Sequence, residues 1–145
     1  MQEALKKSNQ ELEFRVQERT SELQIRLWVD GSFRQPEQVD PQVRQRAAEM
    51  NRIPVARSTW GIADSQPYHP LTPPAAQRLG EIHVPTLIIA GALDHPEILR
   101  AADVMAAGIQ GAQKLILPDS AHVPNMEQPE AFNHAVLDFL STLEA

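Results

Sequence analysis

The chain has 145 residues, of which 42% are hydrophobic and none is cysteine. This length suits about one domain, and the lack of thiols excludes disulfides, thiolate metal sites and a cysteine nucleophile. A formal charge of −6 argues against nucleic-acid binding, which needs basic patches. No apolar run approaches the roughly 20 residues of a membrane span, and no signal peptide follows Met1. We therefore expect a soluble, cytoplasmic protein without a cofactor or metal.

Residues 1–24 are polar, contain no Pro or Gly, and are predicted to form one helix. The a and d positions of a heptad repeat are occupied by Leu5, Asn9, Leu12, Val16, Arg19 and Leu23. This spacing predicts a short coiled coil, and with it a homodimer through residues 1–24. The competing interpretation is a solvated amphipathic helix packed on its own domain.

Two stretches of this helix read SNQELE (residues 8–13) and ERTSEL (residues 18–23). With Arg15-Val16 between them, they resemble the linker helix that joins sensor modules to bacterial histidine kinases. The resemblance implies parallel dimerisation and signal transmission. It does not imply a kinase, because the sequence has no Gly-rich ATP-binding segment and no phosphoacceptor-helix pattern.

Residues 25–80 form an irregular second region. Asp30-Gly31 is a turn signal, and Asp40-Pro41 predicts the start of a helix, since Asp is favoured at the N-cap and Pro at the first helical position. A narrow apolar stripe on that helix consists of Val43, Ala47 and Met50.

Prolines are expected to break any longer element in this region; they are Pro54, Pro67, Pro70, Pro73 and Pro74. Residues 59–61 (TWG) and 68–70 (YHP) are therefore placed on loops. The second region is predicted to lack a core of its own and to rest on another body, as a lid or a connection.

Residues 81–145 are regular. Thr86–Ala90 and Lys114–Leu117 are predicted strands, and helices are predicted over about 96–108 and 129–143. Unbroken apolar strands that alternate with helices are typical of a parallel sheet buried on both faces. The fold class is therefore α/β, with the order β–α–β–α.

Two chemical groups follow the two predicted strands. Asp94 lies four residues beyond the first strand, and His122 lies five residues beyond the second. In a parallel sheet both loops leave the same edge, from strands about 4.8 Å apart. We therefore expect a hydrogen bond between Asp94 and His122, which would orient the imidazole and leave its other nitrogen to act as a general base.

The surrounding residues resemble a known family. VPTLIIAGALD (residues 84–94) is similar to the penultimate strand and acid turn of α/β-hydrolases, and SAHVPNMEQPEAF (residues 120–132) to their histidine loop and last helix. The resemblance implies that Asp94 is the orienting acid and His122 the general base of a catalytic triad, with the acid before the histidine as the family has it. Ala121 stands where the family usually has Gly. Residues 25–80 resemble a remnant of the family's lid.

The triad nucleophile is missing, because the sequence contains no G-x-S-x-G elbow. We interpret the chain as a truncated or fused hydrolase of esters, lactones or C–C bonds. It would be inactive alone, and it would bind a small-molecule substrate once a missing N-terminal half supplies the nucleophile. Two other hypotheses stay open: a non-catalytic dimerisation or signalling module, and a gene fragment without independent function.

Other polar residues near the two loops have structural interpretations. His95 is expected to point away from the acid, and Asp119 to face solvent. Glu127 is expected to cap the last helix, since acids favour a helix N-terminus. The remaining histidines lack metal-ligand spacing; they are His69, His83 and His134.

Overall fold

The computed structural model describes residues 2–56 and 71–143. Its main helices are α1 (Gln2–Gln24), α2 (Pro41–Ala56), α3 (Pro96–Gly108), α4 (Pro124–Glu127) and α5 (Pro129–Ser141). A π-helix spans Ile25–Asp30, short 3-10 turns span Pro36–Gln38, Ala75–Gln77 and Leu79–Glu81, and the strands are β1 (Leu87–Gly91) and β2 (Gln113–Leu117). The loops predicted over 59–61 and 68–70 lie outside the described residues.

Helix α1 has the predicted length but packs little. Over residues 2–20 every side chain whose exposure is described is exposed, and half-buried residues begin only at Ser21. The helix runs without a break into the π-helix, so no interruption marks residue 24, and the division into regions 1–24, 25–80 and 81–145 stays a prediction. No described helix is both long and apolar enough to cross a bilayer.

Helix α2 begins as predicted. The Asp40 carboxylate (Oδ1) accepts a hydrogen bond from the backbone N–H of Gln42 at 2.7 Å, which satisfies one of the free amides of the first turn. The expectation that Pro54 breaks the helix is wrong, because α2 continues to Ala56. A proline keeps a helical φ and removes a single hydrogen bond, which the last turn tolerates. Met50 of the predicted stripe is exposed rather than buried.

The region around α2 takes part in a small core that it shares with residues beyond His122. The buried residues are Ile25, Val29, Val39 and Ala47, and the partly buried ones packed on them include Val123 and Met126. The last two residues follow His122 in the sequence. The region therefore packs on the histidine side of the α/β unit, and its interpretation as a lid or connection stays a prediction.

The strands β1 and β2 pair in parallel, which confirms the predicted topology. The register runs from Leu87 opposite Gln113 to Gly91 opposite Leu117, so β1 begins and ends one residue later than predicted and β2 begins one residue earlier. Helix α3 covers one face of the pair through a core of Ile88, Ala90 and Ala102.

The other face of the pair is less covered than expected. The alternate residues Leu87 and Ile89 of β1 are only partly buried, so burial on both faces is not found among the described residues. The predicted last helix starts at Pro129 as expected and ends at Ser141, two residues early, and the short helix α4 before it was not predicted. No residue of α5 is fully buried: Phe132, Val136 and Phe139 are partly buried, whereas Leu137 and Leu140 are exposed.

Gly91 allows the end of β1 to approach the loop after β2. A Cβ atom at this position would lie 2.2 Å from the carbonyl oxygens of both Ser120 and Ala121. Without that atom, the Leu93 N–H reaches Ser120 O at 2.9 Å. We call residues 92–95 the acid loop and residues 118–123 the histidine loop; Gly91 is what lets these two loops touch.

The substitution Gly91→Ala should therefore lower the free energy of unfolding by at least about 2 kcal/mol, since fixed backbone atoms must move to admit the methyl group. Urea unfolding measures the change. Gly80→Ala is the matched control, because no atom lies within 4 Å of the added methyl group there. Equal stability of the two variants would contradict the close approach.

Candidate active site

The side chains of Asp94 and His122 meet where the two loops touch. Asp94 Oδ2 lies 2.8 Å from His122 Nδ1, which confirms the predicted contact. The Asp94 side chain is 3% exposed and that of His122 is 40% exposed. The pair therefore joins a buried carboxylate to a ring that solvent can reach.

The second oxygen of Asp94 is also engaged. Oδ1 accepts a hydrogen bond from the backbone N–H of His95 at 2.7 Å, so the carboxylate is held at both oxygens. The His95 ring turns away, as expected, and its Nδ1 accepts from the Glu97 N–H at 3.3 Å to cap α3. His95 is therefore a capping residue and not a second partner of the acid.

The hydrogen bond to Asp94 defines what the imidazole can do. A carboxylate can only accept, so Nδ1 carries a proton and Nε2 of the neutral ring has a free lone pair. Among the described residues, none forms a hydrogen bond with Nε2. The arrangement can take up a proton at Nε2 while Asp94 stabilises the positive charge that results.

Trp28 contacts His122 in two ways that the sequence did not reveal. The two rings are tilted by 40° with their centroids 4.6 Å apart. The Trp28 carbonyl oxygen also accepts the backbone N–H of His122 at 3.2 Å. Trp28 lies in the π-helix, so this element forms one wall of the site.

Glu127 holds the histidine loop from the other side. Its Oε1 accepts the backbone N–H of Ala121 at 2.8 Å, and its Oε2 accepts from Arg34 Nη1 at 2.5 Å. The side chains of Arg34 and Glu127 are 10% and 6% exposed. The expectation that Glu127 caps the last helix is wrong: Glu127 ends α4, and its carboxylate turns back to the preceding loop.

A second ion pair, which joins the buried Asp30 to the partly exposed Arg44, fixes the end of the π-helix. Arg44 donates from Nε to Asp30 Oδ1 at 2.7 Å and from Nη2 to Asp30 Oδ2 at 3.0 Å. The Asp30 side chain is only 2% exposed. The hydrogen bond with Asp30 raises the pKa of Arg44 above its usual value, so the guanidinium stays charged. Sequence analysis found only a turn signal at this position.

Gly31 brings the same segment against the acid loop. Its φ of +78° is a conformation that favours glycine. An added Cβ would lie 2.4 Å from the Leu93 carbonyl oxygen and 3.0 Å from the Cβ of Ala121. Ala121 is completely buried, and its methyl group lies beside Gly31, where a second methyl group would not fit.

Other candidate groups lie outside this arrangement. Asp119 is exposed, as expected, and the buried Ser120 hydroxyl donates to the Leu117 carbonyl at 3.4 Å. His134 Nε2 pairs with Asp138 at 3.1 Å, and His69 lies outside the described residues. Within residues 2–56 and 71–143, no group of three or more His, Asp or Glu side chains could hold a metal ion.

Known proteins similar to this chain include curated hydrolases. The chain is 39% identical over 69 residues to the 2-hydroxy-6-oxononadienedioate/2-hydroxy-6-oxononatrienedioate hydrolase of Klebsiella pneumoniae, which covers 48% of the chain and 24% of that protein. It is 34% identical over 68 residues to 3-oxoadipate enol-lactonase 1 of Acinetobacter baylyi, which covers 47% of the chain and 25% of the lactonase. These relatives are hydrolases. No family model matches the chain.

Solved structures of hydrolases also match this chain, and they cover more of it than the curated relatives do. A hydrolase from Pseudomonas aeruginosa PA01 superposes with a TM-score of 0.61 and 31% identity, covering 85% of this chain and 43% of that one. A serine hydrolase involved in carbazole degradation (CarC) gives a TM-score of 0.52 at 22% identity, over 87% of this chain and 47% of its own; it supports the fold alone.

The relatives and structural neighbours are α/β-hydrolases, and the described residues contain a partial parallel sheet with helices. The chain spans about a quarter of the length of these curated relatives and under half of the solved structures. The resemblance to histidine-kinase linker helices receives no support from these comparisons and stays a prediction.

Removing the Arg44 side chain tests whether the buried pair holds the site together. Arg44→Met should lower the free energy of unfolding by about 3 kcal/mol, because it leaves the Asp30 carboxylate buried without its charged partner. Arg100→Met is the control. Its partner Glu97 has a 61% exposed side chain, so the expected loss is much smaller than that of Arg44→Met. Chemical denaturation distinguishes the two, and equal losses would show that burial of Asp30 is unimportant.

Proposed function

We propose that this chain supplies the acid and the histidine of a Ser-His-Asp hydrolytic site. The observation that carries the proposal is the 2.8 Å contact between Asp94 and His122 at the carboxyl edge of two parallel strands. The similarity to a 2-hydroxy-6-oxononadienedioate hydrolase and to a 3-oxoadipate enol-lactonase supports ester, lactone or C–C bond hydrolysis of a small molecule.

In the proposed reaction, His122 Nε2 takes the proton of a serine hydroxyl as its oxygen attacks the substrate carbonyl. The same nitrogen then returns the proton to the leaving group, and a water molecule releases the acyl group in a second cycle of the same kind. Asp94 keeps the ring in the required tautomer and stabilises the imidazolium, while its own proton content stays unchanged.

The serine is proposed to come from a polypeptide segment outside these 145 residues, because no G-x-S-x-G elbow occurs among them. On this proposal the chain is a truncated or fused hydrolase and is inactive alone. The oxyanion hole and most of the substrate pocket would belong to the same missing segment.

Mixing tests the proposal directly. The chain is combined with the portion of the Pseudomonas aeruginosa hydrolase that it does not match, and hydrolysis of p-nitrophenyl acetate and an enol-lactone is followed. We expect hydrolysis only in the mixture. His122→Ala should lower the rate by about a thousandfold or more, since the general base is lost, and Asp94→Asn should have an effect of similar size because it favours the wrong tautomer.

The matched control is His95→Ala, which removes a neighbouring imidazole that caps α3 and leaves the Asp94–His122 pair in place. Its mixture should keep most of the rate. A mixture no faster than the added portion alone would refute the proposal, as would esterase activity of the unmixed chain that survives His122→Ala.

A second candidate function is dimerisation through residues 1–24. The a and d side chains of Leu12, Val16 and Leu23 are 56%, 62% and 66% exposed. Burying such a stripe against a second copy would remove apolar surface from water. On this alternative the chain would be a non-catalytic dimerisation or signalling module.

Paired substitutions on α1 test this dimer. Leu12→Glu with Val16→Glu places charge in the predicted seam and should convert the dimer to a monomer in sedimentation equilibrium. Phe14→Glu is the control, because Phe14 is equally exposed at 59% but lies at an f position outside the seam. A wild-type chain that stays monomeric at high concentration, or a control that dissociates equally, would count against the seam.

A further inference from the structure

Two successive backbone amides of the histidine loop are held by the same part of the chain. The Ala121 N–H donates to Glu127, whose other oxygen is bound by Arg34. The next amide, that of His122, donates to the Trp28 carbonyl. The orientation of a peptide plane is set when its neighbouring donors are both fixed, so these two bonds decide where the His122 side chain leaves the backbone.

Arg34 connects the two bonds to each other. Besides Glu127 it donates from Nη2 to the Val29 carbonyl at 2.8 Å and from Nε to the Asp30 carbonyl at 2.9 Å. These carbonyls directly follow that of Trp28 at the end of the π-helix. The Trp28 carbonyl of the π-helix holds the His122 amide, and the Glu127 carboxylate holds the Ala121 amide. Arg34 joins the two, because it donates both to the end of the π-helix and to Glu127.

Arg34 and Glu127 depend on each other because both side chains are buried. The Arg34 and Glu127 side chains are 10% and 6% exposed, so either charge would be costly without the other. Glu127 forms its hydrogen bonds with Ala121 and Arg34 and has none with the imidazole. Its influence on His122 therefore passes through the backbone.

We propose that Arg34 and Glu127 are positioning residues, which form a buried clamp that holds the His122 ring against Trp28 and in line with Asp94. The catalytic meaning of the clamp rests on the proposed function. The clamp itself is a statement about the position of a ring, and it can be measured without any substrate.

Proton NMR of isotopically labelled histidine reads this position. The Trp28 ring, 4.6 Å from the imidazole, should shift the His122 carbon-bound ring protons upfield, and the bond to Asp94 should give a downfield Nδ1 proton. The exposed His83 is an internal reference in the same spectrum. Glu127→Ala and Arg34→Met should move the His122 signals towards those of His83 and should weaken the Nδ1 signal.

Glu127→Gln is the rescue variant. It keeps an oxygen for the Ala121 N–H but replaces the oxygen that accepts from Arg34 by an amide NH2, so its His122 signals should lie between those of the wild type and those of Glu127→Ala. Glu130→Gln, at an exposed site in the first turn of α5, is the matched control and should leave the His122 signals unchanged.

The result that would overturn the clamp is a folded Glu127→Ala or Arg34→Met chain with unchanged His122 signals. If both variants unfold, Glu127→Gln becomes the deciding variant. If it also unfolds, or if it folds with unchanged His122 signals, Arg34 and Glu127 only stabilise the fold and do not position the ring. Failure of the mixing experiment would refute the hydrolytic proposal and leave these spectra unaffected, so the two failures can be told apart.

Discussion

Parallel pairing of β1 with β2 brings the loops after both strands to one edge of the sheet, and the rest of the site depends on this pairing. The loops could still pass at a distance, but Gly91 removes the side chain that would separate them. The Leu93 N–H then binds Ser120 O, and Asp94 reaches His122 within hydrogen-bond distance. A contact between side chains thus follows from a close approach of two backbones.

Three buried carboxylates lie in and around the contact between the two loops, and their partners give them different roles. Asp30 and Glu127 are paired with arginines, whose protons do not leave at ordinary pH. These pairs can only fix structure. Asp94 faces an imidazole, whose second nitrogen can accept a proton. The same chemical group therefore serves as an anchor at two positions and as the partner of a proton carrier at the third.

The sequence predicts features that depend on residues close together in the chain, and it misses contacts between residues far apart in the chain. The Asp94–His122 contact could be predicted because both residues stand a few positions after apolar strands, and the α2 start because Asp40-Pro41 is a short-range signal. Arg34 and Glu127 are 93 residues apart, and no periodicity or turn signal connects them. Glu127 was misassigned for the same reason: its nearest helix suggested a cap, whereas its partners come from the histidine loop and the π-helix end.

The end of the π-helix has a consequence for the spacing of the chain. The last carbonyls of a helix have no partner within it, and here those of Trp28, Val29 and Asp30 accept from His122 and Arg34. One residue inserted after Trp28 would turn the carbonyls of Val29 and Asp30 around the helix axis relative to that of Trp28, so the three groups could no longer meet the donors of His122 and Arg34 together. The number of residues from Trp28 to Gly31 is therefore fixed. This segment would not tolerate an insertion, even at positions where it would tolerate a change of side chain.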